Sequence, residues 1–238
     1  MSHTWLIIRL EAPLMAFGGV AVDQVGPTRD FPAASMLTGL FANALGLHWS
    51  DRAAHQALQD RLIFAVRRER TPVTAGVVTD MQNAKLNKAD KGWTTFGAPE
   101  GRGGASYDAP HRRTRDYLAD QTVRVVLRFD PAELSPTLET LAEAIDQPAR
   151  PLFIGRKPCL PSCRLMDGWT DGETAYTALC SLSGSGLFHA LWPAGEGPET
   201  GPQVERIADL ADLRSWRTGL HGGSRRVVEG HIEGVVNS

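Results

Sequence analysis

The stretch from Arg9 to Gly46, RLEAPLMAFGGVAVDQVGPTRDFPAASMLTGLFANALG, constrains the fold more than any other part of the chain, because it joins a strand, a glycine turn and a helix. Trp5 to Leu10 is a short apolar run that predicts a buried strand, ended by Pro13, Gly18 and Gly19. Pro32 stands just ahead of an apolar helix predicted over 35–45, with Ser35 as its candidate N-cap and Gly46 where a C-terminal glycine belongs. A helix N-terminus carries partial positive charge and free N–H groups, so with Arg29 just upstream it is a seat for a phosphate. The same pattern also describes a plain capped helix packed on a strand.

Further along, 52–62 reads as a second helix and Phe64 to Arg68 as a strand. A long polar excursion then runs from about residue 71 to 114, and loops of such length inside a domain are usually functional. Thr122 to Phe129 (TVRVVLRF) alternates apolar and charged residues, the period of a half-buried strand. Pro131 to Ile145 has apolar residues at helical spacing, and Phe153 with Ile154 is expected to supply a fourth strand. Strand, helix, strand, excursion, strand, helix, strand is the order of an α+β, ferredoxin-like core. After Cys159, Glu173 to Leu182 and Leu187 to Trp192 read as strands joined by SGSG, with an exposed loop over 194–202. The expected division is therefore 1–157 for the ferredoxin-like domain and 158–238 for a small β-rich C-terminal unit.

No apolar stretch is long enough to span a bilayer, and no basic segment precedes a clean apolar core, so the cytoplasm is the expected location. Three cysteines in 238 residues argue against a disulfide scaffold. The net charge of −2 counts against a nucleic-acid binder at first sight. Its distribution matters more. From Met81 to Arg115 there are seven Lys or Arg against three acids, a basic track on an otherwise acidic body.

The phrases RLEAPLMAFG (Arg9 to Gly18), GPTRDFPAASMLTGL (Gly26 to Leu40), FAVR (Phe64 to Arg67), TRDYLAD (Thr114 to Asp120) and PLFIGRKPC (Pro151 to Cys159) follow one another in a characteristic order. In that order the chain resembles the CasD family, the subunit of type I-E CRISPR Cascade that holds the five-prime handle of the guide RNA (crRNA). Beyond about residue 160 the likeness thins to positions near Trp216, Arg217, Arg226 and Gly230. The resemblance implies an RNA-recognition-like core and, at 71–114, an inserted hairpin called the thumb. On the same resemblance the thumb is expected to reach a backbone subunit of CasC type, with the large subunit of CasA type alongside and target DNA contacted only within the whole complex. Met81, Trp93 and Phe96 are apolar residues in this polar stretch and are candidates for the partner contact, or for packing back on their own domain.

No histidine or cysteine spacing supports a metal site, and no cofactor is expected. Metal-free cleavage of RNA requires a general base near a ribose hydroxyl and a group that stabilises the leaving oxygen. His111 beside Arg112, Arg113 and Arg115 is the best candidate, so a metal-independent endoribonuclease that processes CRISPR repeat RNA is the alternative reading. The resemblance implies a subunit that binds without cutting. Binding asks for guanidinium forks, amides and stacking platforms. On the matched phrases the candidates are Arg29 and Ser35 at the first helix, Arg115 at the thumb base, Gln82 near the thumb start, and Arg156 with Lys157 after Gly155. Arg67 and Arg68 are weaker candidates, and pairing with a carboxylate is the alternative role for any of these arginines.

Overall fold

The computed structural model describes residues 2–70, 76–84, 91–93, 99–101 and 111–235. Strand β1 (His3–Met15) is buried continuously from Trp5 to Ile8, and after that at Leu10, Ala12 and Met15. Its first half is therefore covered on both faces and its second half on one. The remaining strands are β2 (Val25–Gly26), β3 (Leu62–Arg70), β4 (Val77–Ala84), β5 (Lys91–Trp93), β6 (Pro99–Gly101), β7 (His111–Phe129), β8 (Met166–Gly172), β9 (Leu187–Pro193), β10 (Val204–Leu210) and β11 (Arg225–Glu233). The helices are α1 (Ala34–Ala44), α2 (Arg52–Asp60), α3 (Leu138–Asp146) and α4 (Ala175–Cys180).

One sheet organises the chain, in the order β10-β11-β9-β3-β7-β1-β8, with β2 and β4 also paired to β7 and with β5-β6 as a separate pair. Along this path every pairing is antiparallel. Strands from both sides of residue 157 join the sheet, since β8 pairs with β1 and β9 with β3. On one face Leu6, Ile8, Leu10, Phe64, Val125 and Leu127 meet Leu37 and Phe41 of α1, Leu58 of α2, and Leu141 and Ile145 of α3. The other face packs Trp5, Ile7, Val126, Trp192 and Val228 against Ala175, Ala178 and Leu179 of α4. Among the described residues, no helix is long and apolar enough to cross a membrane.

Three expectations are corrected. Phe153 and Ile154 do not form a strand; Ile154 exchanges backbone hydrogen bonds with Ala16 and Cys159 in a turn closed by Gly155 at φ 86°, and the strand beside β1 is β8 instead. Residues 175–180 are helical rather than extended, because Thr174 and Thr177 cap the first turn reciprocally and Ala175, Ala178 and Leu179 lie on one buried stripe. SGSG thus leads out of a helix into β9. The third helix begins only at Leu138, capped by the Thr137 hydroxyl, and the preceding segment is tied by Arg61, which donates to the carbonyls of Pro131, Leu134, Ser135 and Pro136.

Candidate nucleic-acid interface

A groove of about 590 Å³ opens where the turn after β1, the N-terminal part of α1, β7, the turn at 153–156 and the loop 211–221 converge. The volume suits a nucleotide-sized ligand. Arg29, Ser35, Arg115 and Arg156 all line it, which brings together four residues that are far apart in sequence. Arg115 is positioned by β7, whose Thr114 and Arg115 pair in parallel with Val25 and Gly26. Its Nη1 donates to the carbonyls of Thr114 at 2.9 Å and Gln24 at 3.2 Å. Arg156 lies over the Tyr117 ring at 4.8 Å and donates to the carbonyls of Asp116 at 2.8 Å and Gly26 at 2.8 Å. Arg29 donates to the Ala211 carbonyl at 2.8 Å. Carbonyl oxygens orient a guanidinium without neutralising it, so the charges of these arginines remain available to an anion. Gly26 is what lets two of them close on the same strand: a Cβ there would stand 2.9 Å from Arg115 Cδ and 3.2 Å from Arg156 Nη2.

The first helix is not an open phosphate seat. Its N-cap position is Ala33, not Ser35, and Ala33 makes no side-chain cap. The cap comes from far along the chain: Ala34 N–H donates to Asp212 Oδ2 at 3.1 Å and Ser35 N–H to the Asp212 carbonyl at 3.1 Å. Asp212 is buried and carries an ion pair to Arg225, 3.0 Å away. Ser35 thus sits within the first turn, half-buried on the groove wall.

The other candidates stand elsewhere. Arg67 is fully buried, bonding Glu69 at 2.6 Å and the carbonyls of Leu182 at 2.8 Å and Ser183 at 2.6 Å, with its guanidinium 4.4 Å from the Phe188 ring centre. It is a strut between β3 and the segment after α4, and it presents no face to RNA. Arg68 is mostly covered and lies 3.6 Å from Asp30. Lys157 is exposed beside the groove. Gln82 is exposed on β4 opposite Arg113, donating to Asp80, and Met81 is exposed beside it. Trp93 belongs to β5, while Phe96 lies outside the described residues.

Sequence reasoning passed over the roof of the groove, which includes Arg214, Trp216 and His221. The Trp216 indole N–H donates to Gln59 of α2 at 3.1 Å, its ring lies 4.8 Å from that of His55, and Arg214 stands over it at 4.9 Å. Loss of solvation and the charge of Arg214 hold the His221 imidazole below its usual range. The only signal in the sequence was the scattered likeness near Trp216 and Arg217.

Comparison with known proteins decides the family. The family model described as CRISPR-associated protein (Cas_Cas5) matches residues 5–228. The chain belongs to the Cas5 family. Every residue lining the groove, from Ala16 to His221, falls within that Cas5 match. CRISPR system Cascade subunit CasD of Escherichia coli (strain K12) is 28% identical over 157 residues, spanning 66% of this chain and 67% of that one. Among solved structures, a chain of a CRISPR RNA-guided surveillance complex superposes with a TM-score of 0.68 at 19% identity, covering 97% of this chain and 90% of its own length. The crystal structure of a Cas protein gives 0.61 at 22% identity, with 99% of both chains covered. These two likenesses concern the fold: a large antiparallel sheet with few helices.

Proposed function

We propose that this chain is the non-catalytic RNA-binding subunit of a type I-E CRISPR surveillance complex, acting in the cytoplasm in antiviral defence and capping the five-prime handle of the crRNA. The observation that carries the reading is the convergence of Arg29, Arg115 and Arg156 on one groove, each held by backbone carbonyls with its charge left over. A backbone turn of single-stranded RNA offers phosphates to such forks and bases to the platform of Trp216 and Arg214. The strand order β3-β7-β1-β8, all antiparallel, supports a ferredoxin-like core for this subunit. The pairing of β4 with the outer half of β7 supports a thumb that meets a CasC-type backbone subunit, with Met81 exposed along it. The CasA-type subunit and, through it, target DNA complete the set of partners.

The test uses purified full-length protein and labelled repeat RNA, without metal, alone and with the backbone subunit. Retention without cleavage is the expected result, and the backbone subunit raises the affinity. Specific cleavage abolished by His111→Ala would replace this reading by the processing endoribonuclease.

A further inference from the structure

We propose that His189, His231, Glu205 and Glu229 form a binding site for a divalent transition-metal ion of the zinc class, at the β9-β11-β10 end of the sheet. His189 on β9 lies directly opposite His231 on β11, and Glu229, two residues before His231, shares its face of the strand. Glu205 enters from β10 at the bulge between Val204 and Arg206, a device that re-aims a side chain out of the regular alternation. Three neighbouring strands therefore bring ligand atoms of His189, Glu205 and Glu229 within 4.8 Å of one another, with His231 set against the other oxygen of Glu205.

The separations fit an ion. His189 Nε2 is 2.9 Å from Glu229 Oε1 and 3.6 Å from Glu205 Oε2, and His231 Nδ1 is 3.3 Å from Glu205 Oε1. Donors about 2.0–2.1 Å from a tetrahedral zinc ion stand about 3.3 Å apart, in the middle of this set. His189 Nε2 is shielded from solvent and, among the described residues, makes no aligned hydrogen bond even though Glu229 is so near. A simple ion pair leaves that nitrogen unexplained, whereas a shared cation satisfies it. The other oxygen of Glu229 accepts from Arg206 Nε at 2.8 Å, an outer contact that fixes the carboxylate. Phe31 covers the His189 ring at 4.9 Å, giving the site an apolar wall. Two imidazoles and two carboxylates suit zinc and its neighbours better than magnesium or calcium, which take oxygen alone. Glu229 and His231 lie past residue 228, where the family match ends.

The probe is Zn²⁺ itself, added to chelator-stripped full-length protein and followed by competition with a chromogenic chelator and by thermal unfolding. The expected result is one equivalent held per chain and a rise in Tm on loading. Glu205→Gln, at an exposed position where folding is undisturbed, and His189→Ala each abolish that equivalent and the Tm rise; Co²⁺ gives the absorption of a tetrahedral site in the wild type alone. Absence of a bound equivalent in the wild type, or its undiminished retention in Glu205→Gln and in a His189→Ala/His231→Ala double variant, overturns the assignment.

Discussion

Asp212 caps a helix 178 residues upstream: its Oδ2 accepts from Ala34 N–H at 3.1 Å, and its carbonyl accepts from Ser35. The loop after β10 and the first turn of α1 are thereby one structural unit, with Arg225 as counter-ion to the buried carboxylate.

Asp212→Ala removes both the cap and the partner of Arg225. The cap alone contributes about 1 kcal/mol, and leaving a buried charge without its partner costs about 3–5 kcal/mol. Urea unfolding is expected to show a loss of at least the larger amount, while Asp212→Asn, which keeps an acceptor, loses less.

Arg67 and Arg115 separate stability from recognition. Arg67→Ala strips hydrogen bonds from Glu69 and from the carbonyls of Leu182 and Ser183, so it destabilises by about 3–5 kcal/mol. RNA affinity per folded molecule, measured by filter binding at low temperature, is expected to stay unchanged.

Arg115→Ala does the reverse. The fold persists, because the side chain donates only to the carbonyls of Thr114 and Gln24 among the described residues. Handle RNA binds more weakly by about 1.5–3 kcal/mol, and Arg115→Lys recovers only part of this because an ammonium lacks the fork.

Gly155→Ala tests the turn that delivers Arg156. Gly155 has φ 86°, and a Cβ there would stand 1.6 Å from the Ala16 carbonyl oxygen, so the backbone has to move. The left-handed conformation and the overlap together cost about 3 kcal/mol or more. A fall in Tm accompanied by weaker RNA binding is expected, since the displaced turn carries Arg156 out of register with Gly26.

Tyr176 packs against Trp192 at 4.9 Å, and burial pushes its phenol from the usual 10 up to about 12. Its folded-state pKa is raised, so its contribution to stability is complete below pH 10 and fades as the pH climbs toward 12. Tyrosinate absorbance is expected to contain a late-ionising component that Tyr176→Phe removes.

The first half of the fold was legible because its elements rest on local patterns. β1, α1, α2 and β3 each declare themselves by an apolar period and by breakers such as Pro13 and Gly46. α4 was not legible: ETAYTALCSL alternates well enough to pass for a strand, and only the Thr174–Thr177 capping pair separates the two readings. The strand that completes the sheet beside β1 contains MDGWTDG, a polar, glycine-bearing run that owes its extended state to β1 rather than to its own propensity. At the groove, Arg29, Ser35, Arg115 and Arg156 came from matched phrases, whereas Arg214, Trp216 and His221 lie in an irregular loop whose place is fixed by Asp212 and Gln59. Arg67 stood in a matched phrase and proved internal, since a sequence phrase marks a position without saying which way its side chain is committed.

β7 is a single strand with two duties: residues 118–127 pair with β1, and residues 111–118 pair with β4. Pairing on one continuous strand imposes a parity rule on evolution and on engineering alike. Inserting two residues into β4 and two into the 111–117 half of β7 lengthens the ladder by about 7 Å and preserves which side chains point outward. Inserting one inverts them all. The reach of this arm can therefore change in even steps while the buried register of Val123, Val125 and Leu127 stays untouched.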